Sequence, residues 1–137
     1  MISNTQKAYM LAAKAVSKLS DHQQQLGCVV VNKHKIISSG YNSNTKCHRI
    51  QAELDSKLFG DTCLGKVHSE VSALIPLIKS KVDLTRATIY VYREHKDGTL
   101  AMARPCARCM SLIKQVGIKT IVYTTDDGIA SEKLIYN

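Results

Sequence analysis

The sequence predicts an α/β fold, with residues 1–137 forming one domain in which helices pack across a central mixed sheet. Three observations predict it. A chain of 137 residues suits a single hydrophobic core. Segments with helical spacing alternate with short β-branched segments, the pattern of helices layered on a sheet. Too few residues follow Asp126-Asp127-Gly128 for a crossover helix and a parallel strand, so the last strand is expected to return antiparallel.

From Asn4 to Leu19, residues Ala8, Leu11, Ala12, Ala15, Val16 and Leu19 recur at helical spacing, and Ser3 or Asn4 caps the start. Leu26 to Val31 and Ile36 to Tyr41 are apolar runs around the polar Asn32-Lys33-His34-Lys35, which predicts a β-hairpin. Asn42 to Lys66 is weakly periodic, with a helical turn or two around Ile50 to Leu58, and suits a substrate-side loop. Val67 to Ile78 is a helix that Pro76 should kink or shorten. Thr88 to Tyr92 is a strand, Cys106 to Gln115 a helix stopped by Gly117, and Thr120 to Thr124 a strand. A short helix through Ser131 to Ile135 is the alternative to the final strand, because Glu132 and Lys133 are good helix formers.

Composition bounds the function. With 45% hydrophobic and 22% charged residues the chain has material for a core without staples. No apolar run reaches the roughly 18–20 residues of a membrane span, and Met1 to Met10 lacks a secretory apolar region. The expectation is a soluble protein of the cytoplasm. Five cysteines, an odd number, then favour thiol or metal chemistry over disulfides. A net charge of +8 and a pI near 9.3 favour anionic partners, or serve solubility alone.

Two segments carry chemistry: His68-Ser69-Glu70 and Pro105-Cys106-Ala107-Arg108-Cys109, each at an expected helix start. Cys106 and Cys109 lie one turn apart, so both sulfurs face one ion, and the positive helix end favours their thiolates. Adding His68 gives three zinc ligands and leaves the fourth tetrahedral position for water. Glu70 lies beside that water and is free to move its protons. A lone C-x-x-C reads equally well as a redox pair or half of a closed zinc site, but H-x-E with a downstream P-C-x-x-C is a catalytic zinc signature.

These motifs resemble those of the zinc-dependent cytidine, deoxycytidylate and tRNA-adenosine deaminase superfamily. The resemblance extends from the Leu26 hairpin through Gly40-Tyr41-Asn42 to Gly117-Ile118-Lys119 and Ile121-Val122-Tyr123. It implies a three-layer α/β/α domain, with His68, Cys106 and Cys109 as Zn2+ ligands and Glu70 as the catalytic proton shuttle. The reaction implied is hydrolytic exchange of a ring amine for a carbonyl, releasing ammonia. Ser69 stands where the superfamily usually has alanine, and its N–H and that of Cys106 are unpaired helix-start donors for base and water. Asn42 matches a position that touches sugar or base, or is an ordinary turn asparagine. Arg104 is a candidate phosphate partner or a surface arginine. Tyr41 stacks on a base or simply packs. Cys47, His48 and Cys63, with His22 or His95 as a fourth ligand, suggest a structural zinc site, although unrelated thiols fit better.

The expected substrate is cytosine in a free nucleotide or nucleoside such as CMP, dCMP, cytidine or deoxycytidine, and Gly-Tyr-Asn with Gly-Ile-Lys looks most like that branch. The nucleotide branch usually continues past the Tyr123 strand into a helix and a parallel strand, whereas this ending resembles the cytidine and blasticidin type. The alternative is cytosine or adenine within single-stranded DNA or tRNA, which the charge favours. The aromatic content argues against it, because there is no Trp and one Phe for stacking successive bases. A zinc-stabilised binding module is the non-enzymatic option, and Glu70 speaks against it. The resemblance also implies a homo-oligomer.

Overall fold

Ser3 opens the first helix with a reciprocal cap: its hydroxyl accepts the Gln6 N–H at 3.1 Å, and the Gln6 side chain accepts the Ser3 N–H at 3.0 Å. The computed structural model describes residues 3–45, 48–53 and 67–134. Along the chain these form α1 (Asn4–Ser17), β1 (Leu26–Asn32), β2 (Lys35–Tyr41), α2 (Ser69–Lys79), β3 (Thr88–Arg93), α3 (Ala107–Gln115), β4 (Thr120–Thr125) and β5 (Gly128–Lys133). α1 ends before Leu19, which lies beyond the helix and is largely exposed. Lys33 and His34 form the hairpin turn at φ 52° and 65°, the positive values that a two-residue turn of this hand requires.

α2 begins after Val67, with His68 in extended conformation as its N-cap, and continues through Pro76 to Lys79. The ring removes only one intrahelical donor, so Pro76 does not cut the helix short. Cys106 is likewise the N-cap of α3, and Gly117 at φ 92° follows the α3 C-cap, as its sequence position predicted. Thr125 and Gly128 close the last hairpin, and β5 pairs antiparallel with β4. This is the expected strand; the alternative helix is excluded for Ser131–Lys133, and Ile135 lies outside the described residues. Residues 49–53 are helical, part of the turn expected around Ile50 to Leu58.

The sheet has the order β2-β1-β3-β4-β5. β3 and β4, joined through α3, are parallel, while the other neighbours are antiparallel. Strand alternation separates two cores. Cys28, Val30, Ile89, Val91 and Ile121 face Val71, Leu74 and Leu77 of α2 and Leu112 and Ile113 of α3. Val29, Val31, Tyr90, Tyr92 and Val122 face Met10 and Ala13 of α1. The result is three layers, α/β/α, in which each fully buried aliphatic side chain contributes about 1.5–3 kcal/mol.

Two glycines set the layer spacing. A Cβ on Gly27 would stand 2.2 Å from the Ala13 carbonyl oxygen of α1, and one on Gly40 would stand 2.4 Å from both Ser69 O and Ala73 N of α2. The first turn of α2 therefore rests directly on β2.

Candidate active site

The starts of α2 and α3 meet on one face of the sheet. As N-caps, His68 and Cys106 have extended backbones (ψ 159° and 172°), and neither side chain makes a capping hydrogen bond. His68 Nδ1 is 3.6 Å from Cys106 Sγ and 3.4 Å from Cys109 Sγ. The three donor atoms lie within 4.8 Å of one another, the one such metal-competent group among the described residues. One imidazole and two thiols at this spacing fit zinc in chemistry and reach, with a tetrahedral position left open. Cys109 is fully buried and Cys106 exposed. The hydrogen bond with Cys109 lowers the Cys106 thiol well below its usual range, His68 adding to this, while the same bond and burial raise Cys109.

Glu70 lies in the first turn of α2 and is 5% exposed. Burial pushes its carboxyl above the ordinary range, and a hydrogen bond from the buried Ser69 hydroxyl opposes that rise. The nearby Glu70 carboxyl adds to the rise of the Cys109 thiol. Behind the site, the fully buried Gln51 accepts the His68 N–H at 3.2 Å, and Val67 O accepts the Ser43 N–H at 2.9 Å. The sequence reading missed Gln51, because a glutamine in a weakly periodic segment carries no signal of burial.

His68, Ser69, Glu70, Cys106, Asn42 and Arg104 all line one cleft of about 420 Å³. Asn42 serves the protein itself: Oδ1 accepts from Ser20 Oγ at 2.6 Å and Leu26 N at 2.9 Å, and Nδ2 donates to Gln24 O at 2.7 Å. Arg104 donates to Glu132 through Nε at 2.7 Å and Nη2 at 3.2 Å, and Tyr123 Oη donates to the same carboxylate at 2.7 Å. Tyr41 lines a separate cavity with His48, Ile75 and Pro76. Arg93 and Arg108, which the sequence reading did not single out, also line the main cleft.

The suggested second zinc site is not assembled among the described residues. Cys47 and Cys63 lie outside them, His48 Nδ1 accepts the Ile50 N–H, His22 Nδ1 accepts the Gln24 N–H, and His95 contacts Asp126 at 3.1 Å.

The architecture and site define an α/β domain whose two helix starts present a His-Cys-Cys metal-competent group beside a buried carboxyl. Residues 3–125 match the cytidine and deoxycytidylate deaminase zinc-binding region, and the chain belongs to that family. It is 29% identical over 101 residues to ComE operon protein 2 of Bacillus subtilis, covering 74% of this chain and 48% of that protein. It is 27% identical to the deoxycytidylate deaminase of Schizosaccharomyces pombe, covering 88% of this chain and 37% of that protein. The chain thus spans half or less of the length of these two relatives. The dCMP deaminase of cyanophage S-TIM5, in its apo form, shares the fold at a TM-score of 0.63 and 24% identity, covering 90% of this chain and 84% of that one. Among the described residues no helix is long and apolar enough to cross a membrane.

Proposed function

We propose that residues 1–137 form a single catalytic domain that hydrolyses the exocyclic amine of cytosine in a free nucleotide, yielding the uracil nucleotide and ammonia. The observation that carries this reading is the buried Glu70 carboxyl, which lines one cleft with His68 and Cys106, the two donors that the buried Cys109 completes as a metal-competent group. His68, Cys106 and Cys109 would hold the metal, and zinc, when bound, supplies the Lewis acidity that makes water nucleophilic near neutral pH. Glu70 takes a proton from the attacking water and passes it to the ring nitrogen next to the amine-bearing carbon, then takes the remaining proton from the added hydroxyl and delivers it to the amine, which leaves as ammonia while the carbonyl forms. Ser69 steadies the carboxylate through its hydroxyl. Burial keeps Glu70 able to hold a proton, as a group that alternates between base and acid requires.

A nucleotide is favoured over a nucleoside because Arg93 and Arg108 line the cleft and Glu70 is the one acidic side chain among its described lining residues. Asn42 shapes the floor beneath the sugar, and self-association belongs to the same reading, as the family resemblance implies. The test is product analysis after the zinc-loaded protein meets cytidine, deoxycytidine, CMP, dCMP and a cytosine-containing single-stranded oligonucleotide. Conversion of the mononucleotides with release of ammonia is expected. Conversion confined to nucleosides would overturn the phosphate preference, and conversion confined to the oligonucleotide would overturn the substrate class.

A further inference from the structure

The segment that delivers Cys106 is held from the far edge of the sheet. Ala103 N donates to Thr124 O at 2.9 Å, and the buried Thr124 hydroxyl donates to Ala101 O at 2.7 Å, so β4 secures the chain up to residue 103. The next residue, Arg104, is gripped by β5: both oxygens of Glu132 accept from its guanidinium, and Tyr123 donates to one of them. Only Pro105 separates Arg104 from Cys106, and its ring fixes φ, so this link is short and stiff. The guanidinium and carboxylate meet as a two-pronged fork, a geometry that fixes direction as well as distance.

The exposure of the pair indicates what it does. The Arg104 side chain is 49% exposed and that of Glu132 34%, and ion pairs this open to water add little to global stability. Their position, at the approach to a metal-competent thiol, makes geometry their main effect.

We propose that Glu132 is a positioning residue for the metal site: β5, acting through Arg104 and assisted by Tyr123, sets the placement of Cys106 relative to His68 and Cys109. The inference rests on the metal-site reading above but is independent of the substrate. It also gives Arg104 a role other than phosphate binding, because two of its nitrogens are occupied within the protein.

The experiment uses the full chain. Zinc affinity is measured by chelator competition, and ligand geometry by the visible absorption of the cobalt-substituted protein, for wild type, Glu132→Gln, Glu132→Ala, Arg104→Ala, the Arg104→Ala/Glu132→Ala double variant and the Arg104→Glu/Glu132→Arg swap. Loss of an outer partner of a ligand typically weakens metal binding about 10–100-fold, and at least the lower end is expected for Glu132→Ala, with altered cobalt bands and a nearly unchanged melting temperature. The double variant should be no weaker than either single one, and the swap should recover part of the affinity. Wild-type affinity and cobalt bands in both Glu132 variants would overturn the positioning role while leaving the metal site intact. Absence of stoichiometric zinc in the wild type would overturn both.

Discussion

Asn42 accepts the backbone N–H of Leu26 at 2.9 Å, tying the end of β2 to the beginning of β1 where both line the cleft. The same side chain holds Ser20 and Gln24, so one asparagine fastens the whole connection from α1 to β1. Asn42→Ala leaves these partners unpaired and should cost about 1–3 kcal/mol in urea unfolding. Asn42→Asp keeps the acceptor but turns an oxygen towards the Gln24 carbonyl, and should be the less stable of the two. Equal stability of both variants and wild type would remove Asn42 from this structural role.

Glu70→Gln should retain zinc and lose turnover by about 10²–10⁴-fold, the usual contribution of a general acid and base. Cys109→Ser should lose zinc and turnover together. Metal analysis of each purified variant, paired with ammonia release from CMP and dCMP, separates the two classes. Stoichiometric zinc and full activity in Cys109→Ser would show the donor assignment to be incorrect.

Thr124 is fully buried, and its hydroxyl both accepts the Arg93 N–H at 3.1 Å and donates to Ala101 O. Thr124→Val preserves shape but leaves both groups unpaired, so a loss of about 1–3 kcal/mol is expected. Thr124→Ser should recover most of it. Hydrogen exchange at Arg93 should quicken in the valine variant only; unchanged exchange there would argue against this bridge.

Stability should fall on the acid side. Hydrogen bonding from Lys18, then from Tyr92, holds the Glu94 carboxyl below its ordinary value, and Arg104, then Tyr123, does the same for Glu132. A carboxyl depressed in the folded state stabilises it above the unfolded value, about pH 4.3, and loses that contribution as pH falls through the folded value. Denaturation midpoints should therefore decline below about pH 5; Glu94→Gln should flatten the decline, and Glu132→Gln, whose ion pair is open to water, should flatten it only slightly. A slope identical to wild type in both variants would place the acid-sensitive groups elsewhere.

What could be read from the sequence was local. His68 with Glu70, and Cys106 with Cys109, declare themselves because each pair falls within a helical turn at a recognisable helix start. The three layers came with the family resemblance, because β1 and β3 are near-continuous apolar runs buried on both faces, and nothing in such a run says which residue meets which helix. The roles of Arg104 and Asn42 were not legible. Glu132 lies 28 residues beyond Arg104 and reaches it only because β5 pairs with β4 in one particular register. The three partners of Asn42 come from a connection without periodicity. Tyr41, expected either to stack on a base or simply to pack, lines a different cavity from Asn42, since adjacent residues at a strand end point to opposite sides.

The position of β4 and β5 in the chain has a consequence for biosynthesis. Translation delivers His68, Cys106 and Cys109 before the strands that brace them, and nascent chains lengthen by about 5–20 residues each second. For that interval both thiols have left the ribosome's catalytic centre while their scaffold is still incomplete. The β4–β5 hairpin follows all three donors in the chain, so under the positioning role proposed for Glu132, termination before that residue would yield a chain with every donor and no clamp to aim them.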